Sequence, residues 1–414
     1  MKKLLIVGLT LMLLASALFA DDALVMPAMV GRFYVAPIFS FAPGVYDNDG
    51  NYHSFDDSIS LFNLGFALEF GLTDWVTAAV QWVPGWTPWS DISGATPADN
   101  VNTNGFGDIF AGAKIQIVGP NAPVQSTGSR FAFAPGIIIP MPGPDFEEEA
   151  KKAAEGREAT LNSMDRHVFG FGSRFYFDYI INDNFFINFF NETLIFPARQ
   201  DLNRAGPQFA MVRAVAGPAA GVSVGEAVVA AAVAELLPGL IAANPGVPQE
   251  ILISGITSDS QVLAAATEAG AAFGNAVGHA SGEIDYRYSL TFEIEPVFTA
   301  FIAKGIRLTA GLPVNYQFSP APDFFARVKL PEPYASNSAL AAAATEAEKA
   351  IVQNMKDLAG GDSHLLSINP NAGIFLMTLP LPLEFKFQYN IPVWGVNANA
   401  QHSASLQIRA YFAF

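Results

Sequence analysis

From residue 30 onward the chain repeats one pattern, runs of about ten residues in which apolar and polar side chains alternate. In the last run Leu406, Ile408, Ala410, Phe412 and Phe414 share one parity, and Ser405, Gln407, Arg409 and Tyr411 the other. The run before it sets Leu383, Phe385, Phe387, Tyr389, Ile391 and Val393 against Glu384, Lys386, Gln388 and Asn390. A third sets Ile284, Tyr286, Tyr288, Leu290, Phe292 and Ile294 against Asp285, Arg287, Ser289, Thr291, Glu293 and Glu295. Successive side chains of a strand point to opposite faces, so this segregation puts one face in an apolar medium and the other against water. Twelve strands are predicted, at 30–41, 59–70, 75–84, 105–118, 129–140, 167–180, 185–196, 284–301, 306–319, 364–378, 383–395 and 402–414.

A soluble sandwich also alternates, so the connections arbitrate. Tight turns are expected at Gly71-Leu72-Thr73-Asp74, Ile181-Asn182-Asp183-Asn184, Ala303-Lys304-Gly305 and Leu379-Pro380-Leu381-Pro382. Between them lie long connections at 42–58, 85–104, 141–166, 197–283 and 320–363. Short periplasmic turns alternating with long extracellular loops are the layout of an outer-membrane barrel. Closure follows from solvation, because an open sheet edge in lipid leaves backbone groups without partners at several kcal/mol each. The expected fold is therefore an all-β, antiparallel, up-and-down transmembrane barrel of about 12 strands, with 14 open if a pair hides at the edges of the long loops. It carries helical insertions. Residues 146–160, 224–243, 261–280 and 335–358 read as helices, rich in Ala. The apolar helices of 197–283 either pack on one another as a cap or line an entry site for a hydrophobic solute.

Composition narrows the class. Hydrophobic residues reach 51% and charged residues only 14%, yet the best spanning-helix candidate, 227–243, is broken by Glu235 and Pro238. The 35 Phe and 35 Gly suit strands instead. Residues 1–20 read as a secretory signal, with Lys2 and Lys3, an apolar core from Leu4 to Leu14, and small residues ending at Ala20. The rest, 21–414, reads as a single barrel domain delivered to the bacterial outer membrane. The formal charge of −16 lacks the basic footprint that nucleic acid requires. The absence of cysteine removes thiolate metal sites and thiol catalysis.

The candidate functional residues are charges of inward parity: Glu69, Asp108, Lys114, Arg174, Asp178, Asp285, Arg287, Glu293, Glu295, Arg307, Glu384, Lys386 and Arg409. They either line a narrow path or pair across the lumen and fill it. Trp75, Trp82, Trp86, Trp89, Tyr176, Tyr179, Tyr316, Tyr389, Trp394 and Tyr411 read as headgroup-level girdle residues. No histidine pair has metal-ligand spacing, and no G-x-S-x-G occurs. His402 and Ser403 are adjacent on a strand and so face opposite ways. Neither catalysis nor a cofactor is expected. The expected partners are outer-membrane lipid, a small-molecule solute and, through the terminal Phe414, the barrel-assembly machinery.

The segments LEFGLTDWVTAAVQW, GFGDIFAGAKIQIV and FAFAPGIIIPMPGP between Leu68 and Pro142 resemble the meta-pathway phenol-degradation family, barrel transporters of the long-chain fatty-acid type. The matching positions are Gly71, Leu72, Thr73, Gly105, Gly107, Asp108, Gly112 and Lys114. The resemblance implies uptake of hydrophobic, often aromatic, small molecules. Fatty-acid transporters carry an N-terminal plug and usually fourteen strands. Here about ten residues separate Ala20 from the first strand, which leaves no room for such a plug.

Overall fold

The computed structural model describes residues 22–93, 100–160 and 165–413. The signal segment 1–20 and Phe414 lie outside the described residues. Twelve antiparallel strands close into a barrel: β1 (Val30–Tyr46), β2 (Tyr52–Thr73), β3 (Val76–Asp91), β4 (Ile109–Gly119), β5 (Ser129–Ile139) and β6 (Gly170–Asn182). They continue as β7 (Phe185–Ile195), β8 (Tyr288–Ala303), β9 (Ile306–Gly311 with Val314–Ser319), β10 (Ser363–Ile368 with Asn371–Leu376), β11 (Leu383–Val396) and β12 (His402–Ala413). Each strand pairs with its sequence neighbour, and β12 returns to β1 in the register Val30↔Ala413 and Tyr34↔Arg409. The barrel thus closes at twelve strands, not fourteen. Pro313 and Pro370 interrupt β9 and β10 because proline cannot donate to the ladder. The Asn369 amide crosses the gap to the Pro313 carbonyl at 2.8 Å.

The strand pattern is clearest where one face meets an apolar phase. Phe33, Leu68, Phe175, Phe189, Phe292, Ile294, Phe387 and Leu406 point outward, from 38% to 51% exposed. Their inward neighbours are buried polar or small residues. The first hairpins differ from expectation. Residues 42–46 and 52–58, taken as loop, continue β1 and β2, and 85–91 continue β3. These extensions lack the strict apolar–polar alternation of a lipid-facing strand, so the hydrophobic pattern does not announce them.

Helix α1 (Phe146–Ala154) is capped by Asp145, whose carboxylate accepts from the Glu147 and Glu148 amides. The chain forms two compact units. One contains the barrel with Ile284–Asp323 and the residues from Leu358 onward; the other is Gln208–Glu283 with Phe324–Asp357. The second unit holds α2 (Gln208–Ala243), α3 (Gln249–Thr257), α4 (Ser260–Gly278) and most of α5 (Ser338–Ala359). Pro238 does not break α2, which runs through it and through Pro218. Among the described residues it is the helix long and apolar enough to cross a membrane. Helices α2 and α4 meet backbone to backbone. A Cβ at Gly221 would lie 2.6 Å from the Gly270 carbonyl, and one at Gly217 2.8 Å from that of Gly274.

Candidate functional site in the barrel lumen

Residues 22–28 lie inside the barrel as an extended strap held almost wholly through its backbone. The Ala23 amide donates to Asp178 Oδ2 at 3.1 Å, and Gln116 Nε2 returns to the Ala23 carbonyl at 3.0 Å. Lys114 Nζ donates to the carbonyls of Asp22 (2.6 Å) and Leu24 (3.2 Å). The Met26 amide reaches Thr77 Oγ1 at 2.7 Å, and that of Ala28 reaches Asp74 in the β2–β3 turn at 3.0 Å. Ala23 packs with Ala132, Ala134, Tyr176 and Phe190 in one buried cluster. The segment is too short for a folded plug of the fatty-acid-transporter kind, yet it occupies the lumen, which the sequence reading did not anticipate. An extended chain covers about 3.3 Å per residue, so seven residues cross much of a lumen without needing a folded plug.

Above the strap the same wall carries a ring and a guanidinium. Phe110 lies flat where inward-facing Gly136 and Gly172 have no side chain, and a Cβ at Gly172 would come within 2.5 Å of its edge. The Arg174 guanidinium stacks over Phe110 at 3.9 Å, donates to Gln81 Oε1 at 2.5 Å and pairs with Glu192. Because β3 carries Gln81 and β7 carries Glu192, Arg174 ties three strands together.

The third element comes from the β5–β6 connection. The Asp108 amide donates to Asp165 Oδ2 at 3.0 Å, while the Asp108 carboxylate accepts from the amides of Met141 (2.9 Å) and His167 (3.0 Å). Arg166 stacks on Phe196 at 4.2 Å and points its terminal nitrogens at Ser289 Oγ (3.5 Å) and Ser319 Oγ (3.4 Å). Burial, then the neighbouring Asp108 charge, pushes the Asp165 carboxyl up to about 6. Burial by itself would lower the His167 imidazole, but the facing carboxylates of Asp108 and Asp165 raise it.

These parts enclose a cavity of about 100 Å³. Phe110, Ile138, Phe190, Phe196, Phe318 and Leu365 form its apolar lining, and Gln81, Asp108, Arg166, Arg174, Glu192 and Gln317 its polar lining. A smaller space of about 30 Å³, beside Leu24, Met26, Lys114 and Tyr176, shares Gln81, Phe110 and Arg174 with it.

The remaining sequence candidates fall into groups. Asp178 pairs with Arg130 at 2.6 Å and accepts from Asn188 at 2.7 Å. Glu69 pairs with Arg32 at 2.5 Å. Glu384 pairs with Arg409 at 3.4 Å and accepts the Tyr411 hydroxyl at 2.5 Å. Glu293 accepts from Asn315 at 3.2 Å and Glu295 from Asn371 at 2.7 Å. Arg307 lies over the Phe375 ring at 5.4 Å, and Lys386 is half-buried on β11.

Asp285 and Arg287 do not join these groups. Arg287 has φ 61°, the strand breaks there, and it is Ile284 and Tyr286 that are buried while Arg287 is exposed. The parity counted from β8 therefore does not extend through 284–287. Tyr176 likewise belongs to the lumen and not to a girdle, since it is buried beneath Lys114 Nζ at 4.1 Å. His402 stacks on Phe41, whereas Ser403 is buried on the other side of β12.

Sequence reasoning missed Phe110, Gln116, Arg130, Arg166 and the strap. For Phe110 a signal existed: Gly112, Gly136 and Gly172 carry inward parity on three successive strands, which marks a place where something large lies against the wall.

No family model matches the chain, and no curated protein does. Solved structures do. An outer membrane channel from Pseudomonas putida F1 aligns with a TM-score of 0.52 at 9% identity, over 95% of this chain and 100% of that one. The NanC porin aligns at 0.35, with 6% identity over 92% and 100%, and a Pseudomonas aeruginosa FadL homologue at 0.29, with 8% identity over 93% and 90%. Of these three, the first reaches a score that speaks for the fold. Together with the closed ladder and the outward apolar belt, it establishes that the chain folds as an outer-membrane β-barrel.

Proposed function

We propose that the protein is a passive outer-membrane channel for small hydrophobic or amphipathic molecules, gated by the strap at 22–28 and the loop at 165–167. The observation that carries this reading is the cavity between them, with an aromatic lining on one side and hydrogen-bonding groups on the other. An amphipathic solute matches such a lining, because its apolar body loses water while its polar end keeps partners. The resemblance at Leu68–Pro142 supports the hydrophobic class of solute, and the likeness to a solved channel supports a conducting barrel. In this reading residues 1–20 direct export, Phe414 engages the assembly machinery, and 141–166, 197–283 and 320–363 face the cell exterior.

The decisive experiment is single-channel conductance of refolded protein in planar bilayers, for the full mature chain, for a form lacking 22–28 and for one lacking 197–283. Conductance that rises on strap removal supports the gated channel. Conductance that appears when 197–283 is removed moves the gate to that insertion. Silence in all three favours a second reading, a filled barrel with a surface-interaction role, for which the many ion pairs inside the barrel speak.

A further inference from the structure

The cavity of about 100 Å³ is lined by hydrogen-bonding atoms that the fold itself leaves unused. Glu192 from β7, Gln317 from β9 and Asn399 from the link between β11 and β12 supply them. Glu192 Oε2 receives the Arg174 guanidinium, and Gln317 Nε2 donates to Asn315 Oδ1 at 3.2 Å. Each side chain keeps one oxygen, Glu192 Oε1 or Gln317 Oε1, that accepts from no described residue. Asn399 goes further. Neither its Oδ1 nor its Nδ2 has a partner among the described residues, although the residue is 1% exposed. The backbone around it is pinned. Asn399 sits opposite Val45 of β1, and the Ala400 amide donates to the Gly44 carbonyl at 3.0 Å. Asn397 Nδ2 donates to the carbonyls of Ala359 at 3.0 Å and Gly361 at 2.9 Å.

Buried polar groups without partners are costly, so these atoms favour an occupant that pairs with them. Charge selects a neutral one. Glu192 is already paired with Arg174, and Arg166 is flanked by Asp165 and Asp108. An anion would meet Glu192 Oε1, and a cation would meet the guanidiniums of Arg166 and Arg174, which line the same space. Shape then selects among neutral groups. Asn399 offers an acceptor and a donor side by side in one plane. A primary carboxamide matches them with its own N–H and carbonyl oxygen, and keeps a second N–H for Glu192 Oε1 or Gln317 Oε1. A hydroxyl brings a single O–H, and a ketone brings no donor. Volume limits the rest. The cavity is smaller than the ~150 Å³ that accommodates benzene, so a body of a few aliphatic carbons fits against Phe190 and Phe318.

We propose that Asn399, with Glu192 and Gln317, recognises the primary carboxamide of a small uncharged aliphatic solute. Transport of that solute rests on the channel reading, whereas its binding does not.

The test uses full-length refolded protein and four probes of equal size: propionamide, butanone (a methyl in place of the NH₂), 1-butanol and propionate. Ligand-observed NMR measures binding, and planar bilayers measure conductance. Propionamide should bind about tenfold more tightly than butanone, which leaves the buried acceptors unpaired. Asn399→Leu, close in size and without hydrogen-bonding atoms, should abolish that preference, and Gln317→Leu should reduce it. Glu346→Gln, on the exposed face of α5, should leave it unchanged. Electrophoretic heat-modifiability identifies the variants that are folded barrels, and Gln317→Leu carries the test if Asn399→Leu is not among them. Equal binding of propionamide and butanone, tighter binding of 1-butanol or propionate, or a preference that survives in both leucine variants would each overturn the assignment. So would binding of none of the probes, which would leave the cavity to water. Silent bilayers with an intact preference for propionamide would sink the channel reading and leave the site standing. Conducting bilayers without that preference would do the reverse.

Discussion

The two halves of the lumen wall are built on different rules. From β3 to β7 many inward positions are small or aromatic: Ala79, Phe110, Gly112, Ala132, Ala134, Gly136, Gly172, Tyr176 and Phe190. Small residues leave depth, and the depth is filled by the strap and by Phe110. The charges on this side, Lys114, Arg130, Arg174, Asp178 and Glu192, have partners within the wall or in the strap. From β8 to β12 most buried inward positions can hydrogen-bond: Thr291, Glu293, Glu295, Asn315, Gln317, Ser367, Asn371, Gln388, Asn390, Ser403, Ser405 and Gln407, with Val297 and Leu365 as apolar exceptions. Alternation of polar and apolar residues is the same in both halves. The size of the inward residue decides whether a wall is packed or left as a surface.

The sharpest way to break this comparison is at Asp178, which receives Arg130, Asn188 and the strap amide together. Asp178→Ala strands a largely buried guanidinium. It should lower stability by about 3 kcal/mol, read as an earlier urea midpoint for loss of the compact electrophoretic form. An unchanged midpoint would show that the packed wall does not depend on its ion pairs.

Phe110→Ala should cost about 2–3 kcal/mol, because the bed of Gly112, Gly136 and Gly172 cannot close over the space left behind. Gly136→Val, which forces the ring off its bed, should produce a similar loss. On the opposite wall Ser405→Ala, removing a hydroxyl without a partner, should stay within about 0.5 kcal/mol of the parent. If Ser405→Ala proves as costly as Phe110→Ala, the distinction between the walls fails.

The loop that reaches the cavity should respond to pH. The Asp165 carboxyl titrates at about 6 in place of 3.8, so the folded loop holds a proton that the released loop gives up. A raised His167 acts in the same direction, its contribution being complete at acid pH and lost as pH rises through its folded value. Docking should therefore weaken from about pH 4 upward, and open-channel time should increase across that range. Asp165→Asn should remove most of the acid limb of the profile, and a profile identical to the parent's would place the pH sensor elsewhere.

The smallest expected effect lies at the β1–β2 turn. There Asp47 accepts from the amides of Asp49 and Asn51 and from His53 Nε2 at 2.7 Å. The His53 bond, then the Asn51 amide, hold its carboxyl at about 2, below the usual 3.8. Its contribution is present above pH 3.8 and lost as pH falls through 2. Amide exchange at Gly50 and Asn51 should accelerate only at that extreme, with the barrel intact. Acceleration already at pH 5 would assign the turn's order to something other than Asp47.

Strand number, strand centres, the buried parity of Glu69, Asp108, Asp178, Glu293 and Glu295, and the helical character of 224–243, 261–278 and 338–358 were legible in the sequence, whereas the first half of α2 and the short α3 were not. A barrel strand faces lipid on one side along its full width, and that constraint writes itself into every second residue. What each inward charge meets was not legible, because its partner is set by the shear and register that bring β3, β6 and β7 side by side. The parity of Asp285 and Arg287 was misread because a single left-handed residue, Arg287, shifts the phase with no trace in hydropathy. The strap escaped notice because it is bound by its backbone, and backbone amides are the same in every sequence. The chain by itself thus determined that a barrel forms and, along the regular strands, which face carries the polar side chains. The tertiary structure decided how the lumen is filled, since that depends on distances across the barrel that no local pattern encodes.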